Sequence, residues 1–192
     1  MYKKEGCQTD EELMLLYKGG HFTSFETLYR RYDQQILGFL IRQTNYRKQD
    51  AIEIAQEVWL ALIRTSQTYE IKSTFRTYIF TIVHNKYIDF YRKNRSHSEF
   101  FLFQEDLDTV GSDVSGVEES FIRTEEVQSI DYILQSLADH HREILVYRYV
   151  EDLTVPEIAI ILQIPLERAK SKLRYAKAAF KESYLKHYKV DI

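Results

Sequence analysis

The stretch Thr154-Val155-Pro156-Glu157-Ile158-Ala159-Ile160-Ile161-Leu162-Gln163-Ile164-Pro165-Leu166-Glu167-Arg168-Ala169-Lys170-Ser171-Lys172-Leu173-Arg174 carries the decisive pattern of this chain. Thr154 with Glu157 three residues on is a capping box, and Pro156 suits the first turn of the helix it opens. Ile158, Ala159 and Leu162 give that helix an apolar side. Gln163-Ile164-Pro165 breaks it, and a second helix is expected from about Leu166. A short helix, a tight turn and a basic second helix make a helix-turn-helix. In that unit the second helix enters the major groove with its N-terminal side chains on base edges. Leu173 and Ala176 should pack inward, leaving Arg168, Lys170, Ser171 and Arg174 outside. A plain helical hairpin with a solvated lysine face is the competing reading.

Outward from that unit the chain reads as all-α. Of 192 residues only Pro156 and Pro165 are proline, so the first 155 contain none, and alternating β-branched patterns are few. Thr9-Asp10-Glu11-Glu12 is a capping box for a short helix ended by Gly19-Gly20, and Thr23-Ser24-Phe25-Glu26 reads as a second box. Phe25, Leu28, Tyr29, Tyr32, Ile36, Phe39 and Leu40 then fall at helical spacing. Asp50 is expected to open a helix with Ile52, Ala55, Trp59 and Leu62 on one face. Glu53, Gln56 and Glu57 lie on the other. After a break near 69–73 a further helix spans about 74–95. Ile130, Ile133, Leu134, Leu137, Ile144, Leu145 and Tyr149 mark a later apolar stripe. The predicted architecture is two small helical domains, 1–98 and 127–192, joined by a flexible acidic linker at 99–126 whose core is 104–120.

The charge is unevenly spread. The net charge is −3, from 26 Lys and Arg against 29 Asp and Glu. That average would argue against a nucleic-acid partner. Yet residues 72–95 have a balance of +5, residues 166–189 of +6, and residues 99–126 of −8. The span 72–95 also holds Phe75, Tyr78, Phe80, Tyr87, Phe90 and Tyr91. Cations that neutralise phosphate, interleaved with aromatic faces, suit single-stranded nucleic acid. An amphipathic helix with its aromatics in the core explains the same composition, and both readings stand.

Several classes drop out. A lone Cys7 excludes a disulfide framework and a cysteine-built zinc site. No apolar run is long enough to span a membrane, and no apolar stretch follows Lys3-Lys4, so a cytoplasmic protein without direct membrane insertion is expected. The six histidines lack metal-ligand spacing, and Asp139-His140-His141 reads as an exposed turn. No phosphate-binding glycine loop or nucleophile motif is present, so no enzyme activity, metal or cofactor is expected.

The ordered parts resemble a sigma-70-type RNA polymerase initiation factor of the small extracytoplasmic-function (ECF) group. Its region 2 is echoed by Phe25-Glu26-Thr27-Leu28-Tyr29-Arg30-Arg31-Tyr32, Ala55-Gln56-Glu57-Val58-Trp59-Leu60, Phe75-Arg76-Thr77-Tyr78-Ile79, His84-Asn85, Asp89 and Arg92-Lys93. Region 4 is echoed by Leu137 with Arg142, Glu157-Ile158-Ala159, Lys170-Ser171-Lys172-Leu173 and Ala176-Lys177. Tyr78 stands where the family usually has Trp, and Leu166-Glu167-Arg168-Ala169 lacks the common Gly-Thr-Val.

The resemblance implies a factor that binds bacterial core RNA polymerase through its β and β′ subunits, recognises the −35 and −10 promoter elements and promotes melting. It implies that Asp50, Glu53, Gln56 and Glu57 dock on the polymerase. Tyr69, Lys72, Ser73, Thr74, Asn85, Lys86, Arg92 and Lys93 would meet the −10 element. Arg168, Lys170, Ser171, Lys172, Arg174 and Lys177 would meet the −35 element. It also implies an anti-sigma partner. A stand-alone helix-turn-helix regulator of duplex DNA and a protein-binding helical adaptor remain alternatives at this point.

Overall fold

The structure, a computed structural model, describes residues 8–94 and 125–188. The linker expected at 99–126 falls almost wholly outside these residues, as do Cys7 and Arg95. Among the described residues there is no strand. The first half comprises α1 (Asp10–Lys18), α2 (Phe22–Gln43), α3 (Lys48–Thr65) with a 3-10 turn at Ser66–Thr68, and α4 (Phe75–Asn94). The second comprises α5 (Glu125–Ser136), α6 (Asp139–Leu145) with a π-helical turn at Val146–Val150, α7 (Val155–Ile161) and α8 (Leu166–Tyr188).

The ends of these helices are written locally. Both sides of the capping box form at Thr9–Glu12 and at Thr154–Glu157. Three helices stop by the same device, a left-handed residue just beyond the end: Gly20 at φ 96°, Asn45 at 52° and Gln163 at 55°. In the helix-turn-helix, the Gln163 amide then donates to Ile160 O at 3.1 Å and the Ile164 amide to Ala159 O at 3.0 Å. This pair of reversed bonds satisfies the last carbonyls, and Pro165 prevents the helix from continuing.

Two expected starts move. There is no capping box at Thr23–Glu26: α2 already begins at Phe22 with His21 at its cap, and the Thr27 hydroxyl donates to Thr23 O at 3.1 Å. Likewise α3 begins at Lys48, so Asp50 lies inside its first turn and pairs with Arg47 at 3.1 Å. Asp139-His140-His141 is the half-buried first turn of α6 rather than an exposed turn. Ile130 and Tyr149 are exposed, not core.

The aromatics of α4 resolve in favour of packing. Phe75, Phe80, Tyr87 and Tyr91 are buried, and Tyr78 and Phe90 pack partly buried against the same core. The four buried rings are held in the core and are not available to unpaired bases. What the periodicities did not foretell is that the two halves share one apolar core. Tyr147, fully buried in the π-helical turn, stacks on Phe39 of α2 at 4.7 Å and meets Phe80 of α4 edge-on at 6.0 Å. Phe39→Ala should therefore cost about 3–5 kcal/mol in chemical denaturation of the whole chain. Phe22→Ala, at a side chain 77% exposed, should stay within about 0.5 kcal/mol.

Candidate nucleic-acid interface

The polar edge of α4 begins with its cap. Thr74 Oγ1 accepts from the Thr77 backbone N–H at 3.2 Å, and the Phe75 N–H donates to Glu11 Oε1 at 2.6 Å. The helix start is thus fixed from both its own cap and α1. Just before it, Lys72 pairs with Glu70 at 3.0 Å in open solvent, and the Ser73 hydroxyl donates to Thr74 O at 3.3 Å. Tyr69 differs from its neighbours. Its side chain is buried against Phe75 and Tyr78, with ring centroids at 6.5 and 5.0 Å, and its carbonyl accepts from Lys18 Nζ at 2.9 Å. Asn85 is exposed, the adjacent Lys86 runs toward Glu57 of α3 at 3.8 Å, and Arg92 and Lys93 are exposed near the helix end.

The acidic and amide stripe of α3 forms as expected. Ala51, Ile54, Ala55, Val58, Trp59 and Leu62 are buried, while Glu53, Gln56 and Glu57 face solvent. Trp59 fixes the rotation of the helix, because its indole N–H donates to Asp33 Oδ1 at 3.0 Å while its ring lies against Tyr29 and Phe25. Asp50 is half-buried beside Arg47, apart from the most exposed part of the stripe.

On α8 the inward residues are Ala169, Leu173 and Ala176. Arg168, Lys170, Ser171, Arg174 and Lys177 are exposed, and Lys172 is half-buried. Lys170 pairs with Glu167 at 2.7 Å. Two cations rest on aromatic faces: Arg174 lies over Tyr175 at 5.1 Å and Lys177 over Tyr149 at 5.5 Å, which holds them extended at low entropic cost.

The structure also joins surfaces that the sequence reading kept apart. Gln163 Nε2, in the helix-turn-helix turn, donates to Asn85 Oδ1 at 3.2 Å. Glu157 Oε1 accepts from the hydroxyls of Thr74 and Thr77 at 3.5 and 3.4 Å. Glu151, 2% exposed, faces Arg76 at 3.6 Å. His84 Nδ1 donates to Glu143 Oε1 at 2.7 Å. Arg42 reaches Asp131 at 3.4 Å, and buried Arg142 bonds Asn45 and Asp139. The sequence reading missed this set. The signal available was Arg142-Glu143, two charged residues directly before the apolar Ile144 and Leu145.

The carboxylates respond to these neighbours. Burial pushes the Glu151 carboxyl above its ordinary value, only partly offset by Gln35, Arg76 and Arg42. Burial also works against ionised Glu157, but bonds from Thr154 and Thr77, with Arg76 nearby, outweigh it and hold the group low. For His84, burial pulls downward, the adjacent Glu143 carboxylate more than reverses this, and Lys172 opposes; the net shift is upward.

Comparison with known proteins matches both halves to one family. Sigma-70 region 2 matches residues 28–97, and Sigma-70, region 4 matches residues 133–181. The RNA polymerase sigma factor YlaC of Bacillus subtilis (strain 168) is 28% identical over 166 residues, covering 86% of this chain and 95% of that protein. The ECF RNA polymerase sigma factor SigW of the same organism is 26% identical over 141 residues, covering 69% and 74%. Among solved structures, CnrH in complex with the cytosolic domain of CnrY has a TM-score of 0.64 at 19% identity, covering 91% of this chain and 96% of its own. The sigma factor RpoE of Bartonella quintana, in complex with the anti-sigma factor NepR, has the same TM-score and identity, with coverages of 88% and 98%.

The His84–Glu143 pair gives a pH test. The folded-state value of His84 is raised above its ordinary 6.5. Its stabilising contribution is therefore complete below pH 6.5 and is lost as pH rises through the raised value. Denaturation midpoints should fall over that window for the native sequence and flatten in His84→Gln; an unchanged slope would refute the linkage.

Proposed function

The chain belongs to the sigma-70 family of RNA polymerase sigma factors, in its extracytoplasmic-function group, and we propose how its surfaces divide the work of starting transcription. The exposed stripe of α3, with Glu53, Gln56 and Glu57 and with Asp50 at its edge, docks on core polymerase. An acidic and amide helix face is complementary to a basic partner helix, and the natural site is on the β′ subunit. The β subunit would contact the second half. Asn85, with a side-chain donor and an acceptor, takes an unstacked −10 base by its Watson–Crick edge. Lys72, Ser73, Thr74, Lys86, Arg92 and Lys93 track the backbone around it. Tyr69 acts from beneath, as the buried support of that loop.

On α8, Lys170, Ser171 and Arg174 read the −35 element while Arg168, Lys172 and Lys177 grip phosphate. The protein works in the cytoplasm as a non-enzymatic factor, with the polymerase supplying the chemistry. An anti-sigma partner is part of the proposal, since NepR is named as one in the Bartonella quintana complex. The observation that carries the reading is the ordered match of regions 2 and 4 onto the two helical units. A regulator acting on duplex DNA alone would leave the α3 stripe and the region 2 match without a use.

Transcription with core polymerase on promoter libraries tests it, and new start sites are expected. Gln56→Lys with Glu57→Lys should weaken core binding by roughly tenfold or more, about 1.4 kcal/mol. Asn85→Ala should weaken a forked −10 probe by about 1–3 kcal/mol and leave a duplex −35 fragment unaffected. Equal loss on both probes would sink the base pocket. Removing Lys177 should shallow the salt dependence on the −35 duplex by about 0.9.

A further inference from the structure

The loop at 69–74 joins the 3-10 turn after α3 to α4 and contains neither helix nor strand. Glu70, Ile71 and Lys72 are exposed along it, and the pairing of Lys72 with Glu70 lies in open solvent. Apart from the Ser73 and Thr74 bonds at its far end, its own side chains give it little shape. Both ends are instead gripped from α1. At the entrance the Lys18 ammonium donates to the Tyr69 carbonyl at 2.9 Å. At the exit the Glu11 carboxylate accepts from the Phe75 backbone N–H at 2.6 Å. Gln67 Nε2 donates to the Lys18 carbonyl at 3.3 Å, which ties the turn before the loop to the end of the same helix.

Glu11 and Lys18 stand two turns apart on one face of α1, about 10 Å along its axis. Extended chain from 69 to 74 could span about 20 Å. The segment between the grips is thus held looped, with its middle residues turned to solvent. Each grip pairs a full charge with a backbone group, which makes it stronger than a neutral bond. Helix α1 is itself anchored: Leu13 and Met14 are buried, and Asp10 accepts from the Tyr32 hydroxyl and from Arg31 of α2. Burial, then the nearby Glu11 carboxylate, pushes the Tyr69 phenol up to about 12, so Glu11 also stands beside the ring that supports the loop. Neither grip involves the second half, so neither depends on the seam between the halves.

We infer that Glu11 and Lys18 are positioning residues for −10 recognition: from opposite ends they hold the 69–74 loop in the shape that meets the strand around the captured base. The inference rests on the proposed −10 role of that loop. Both residues act through the loop backbone rather than by touching the strand.

The test uses the chain with core polymerase. Forked probes are built on start sites recovered with the native chain and substituted one base at a time across the −10 element. The quantity read is the ratio of affinities for the preferred and the substituted base. A variant that only lowers the folded fraction weakens every probe alike and leaves that ratio unchanged. Glu11→Met and Lys18→Met keep side-chain length and helix propensity but remove the acceptor and the donor. Each should cut the ratio about tenfold, the scale of one lost base contact, with binding to core polymerase and to a −35 duplex unchanged. Glu11→Gln and Lys18→Arg, which keep an acceptor and a donor, should stay close to the native ratio. Because either release frees the same loop, the double methionine variant should lose less than the two single losses multiplied. Should a methionine variant fail to fold, Glu11→Ala and Lys18→Ala pose the same question without a new side chain. Native discrimination retained in these variants would overturn the positioning role, as would an equal weakening on all probes. If the native chain itself shows no preference between −10 bases, the proposed −10 reading falls first and the positioning role with it.

Discussion

Tyr147 lying flat on Phe39 at 4.7 Å and edge-on to Phe80 is the contact from which the arrangement of the two halves follows. Helix α6 has seven residues, too few to be stable by itself in water. It is held by burying Ile144, Leu145, Val146 and Tyr147 in the shared core. Glu143, Tyr147 and Glu151 are spaced by four residues, and the π-helical turn at Val146–Val150, with its wider period, keeps them in register. When Tyr147 docks, Glu143 and Glu151 are carried onto α4 on either side of it. One aromatic contact thus aims two buried carboxylates.

The charge distribution takes its meaning from that arrangement. A chain of net −3 holds two strongly basic segments, 72–95 and 166–189. The acidic excess of 99–126 is the part that catches the eye in the sequence. Inside the described fold, however, the carboxylates that oppose the α4 edge come from α6, the turn after it and α7. Two of them, Glu157 and Glu151, shift in opposite directions. Bonds from Thr154 and Thr77 hold the Glu157 carboxyl below its ordinary value despite burial, whereas burial raises that of Glu151. Both carboxylates meet the first turn of α4, one with its charge favoured by its bonds and the other with its charge opposed by burial.

The helix-turn-helix was legible because every instruction for it is local. Thr154 and Glu157 cap each other, Gln163 takes the left-handed turn, and Pro165 closes the exit within twelve residues. The exposed stripe of α3 was legible for a similar reason, since helical spacing alone separates Gln56 and Glu57 from Val58 and Trp59. The α4 segment was not, because basic residues beside aromatics have the same composition whether the rings meet bases or a core. Burial decided it, and burial depends on α2 and on Tyr147, distant in sequence. The seam was the least legible part. Pairs such as His84 with Glu143 lie 59 residues apart and leave no periodic trace.

The same geometry sorts the residues around the proposed −10 surface by the bonds they already make. The Thr74 oxygen is engaged by the Thr77 amide as the cap of α4, and losing a cap of this kind costs about 1 kcal/mol. Its hydroxyl proton already points to a neighbouring oxygen, so Thr74 contributes mainly by fixing where the helix starts. Tyr69 is likewise committed to the core. Asn85 is different: it is exposed, its backbone lies within the helix, and its side-chain oxygen accepts from Gln163 across the seam.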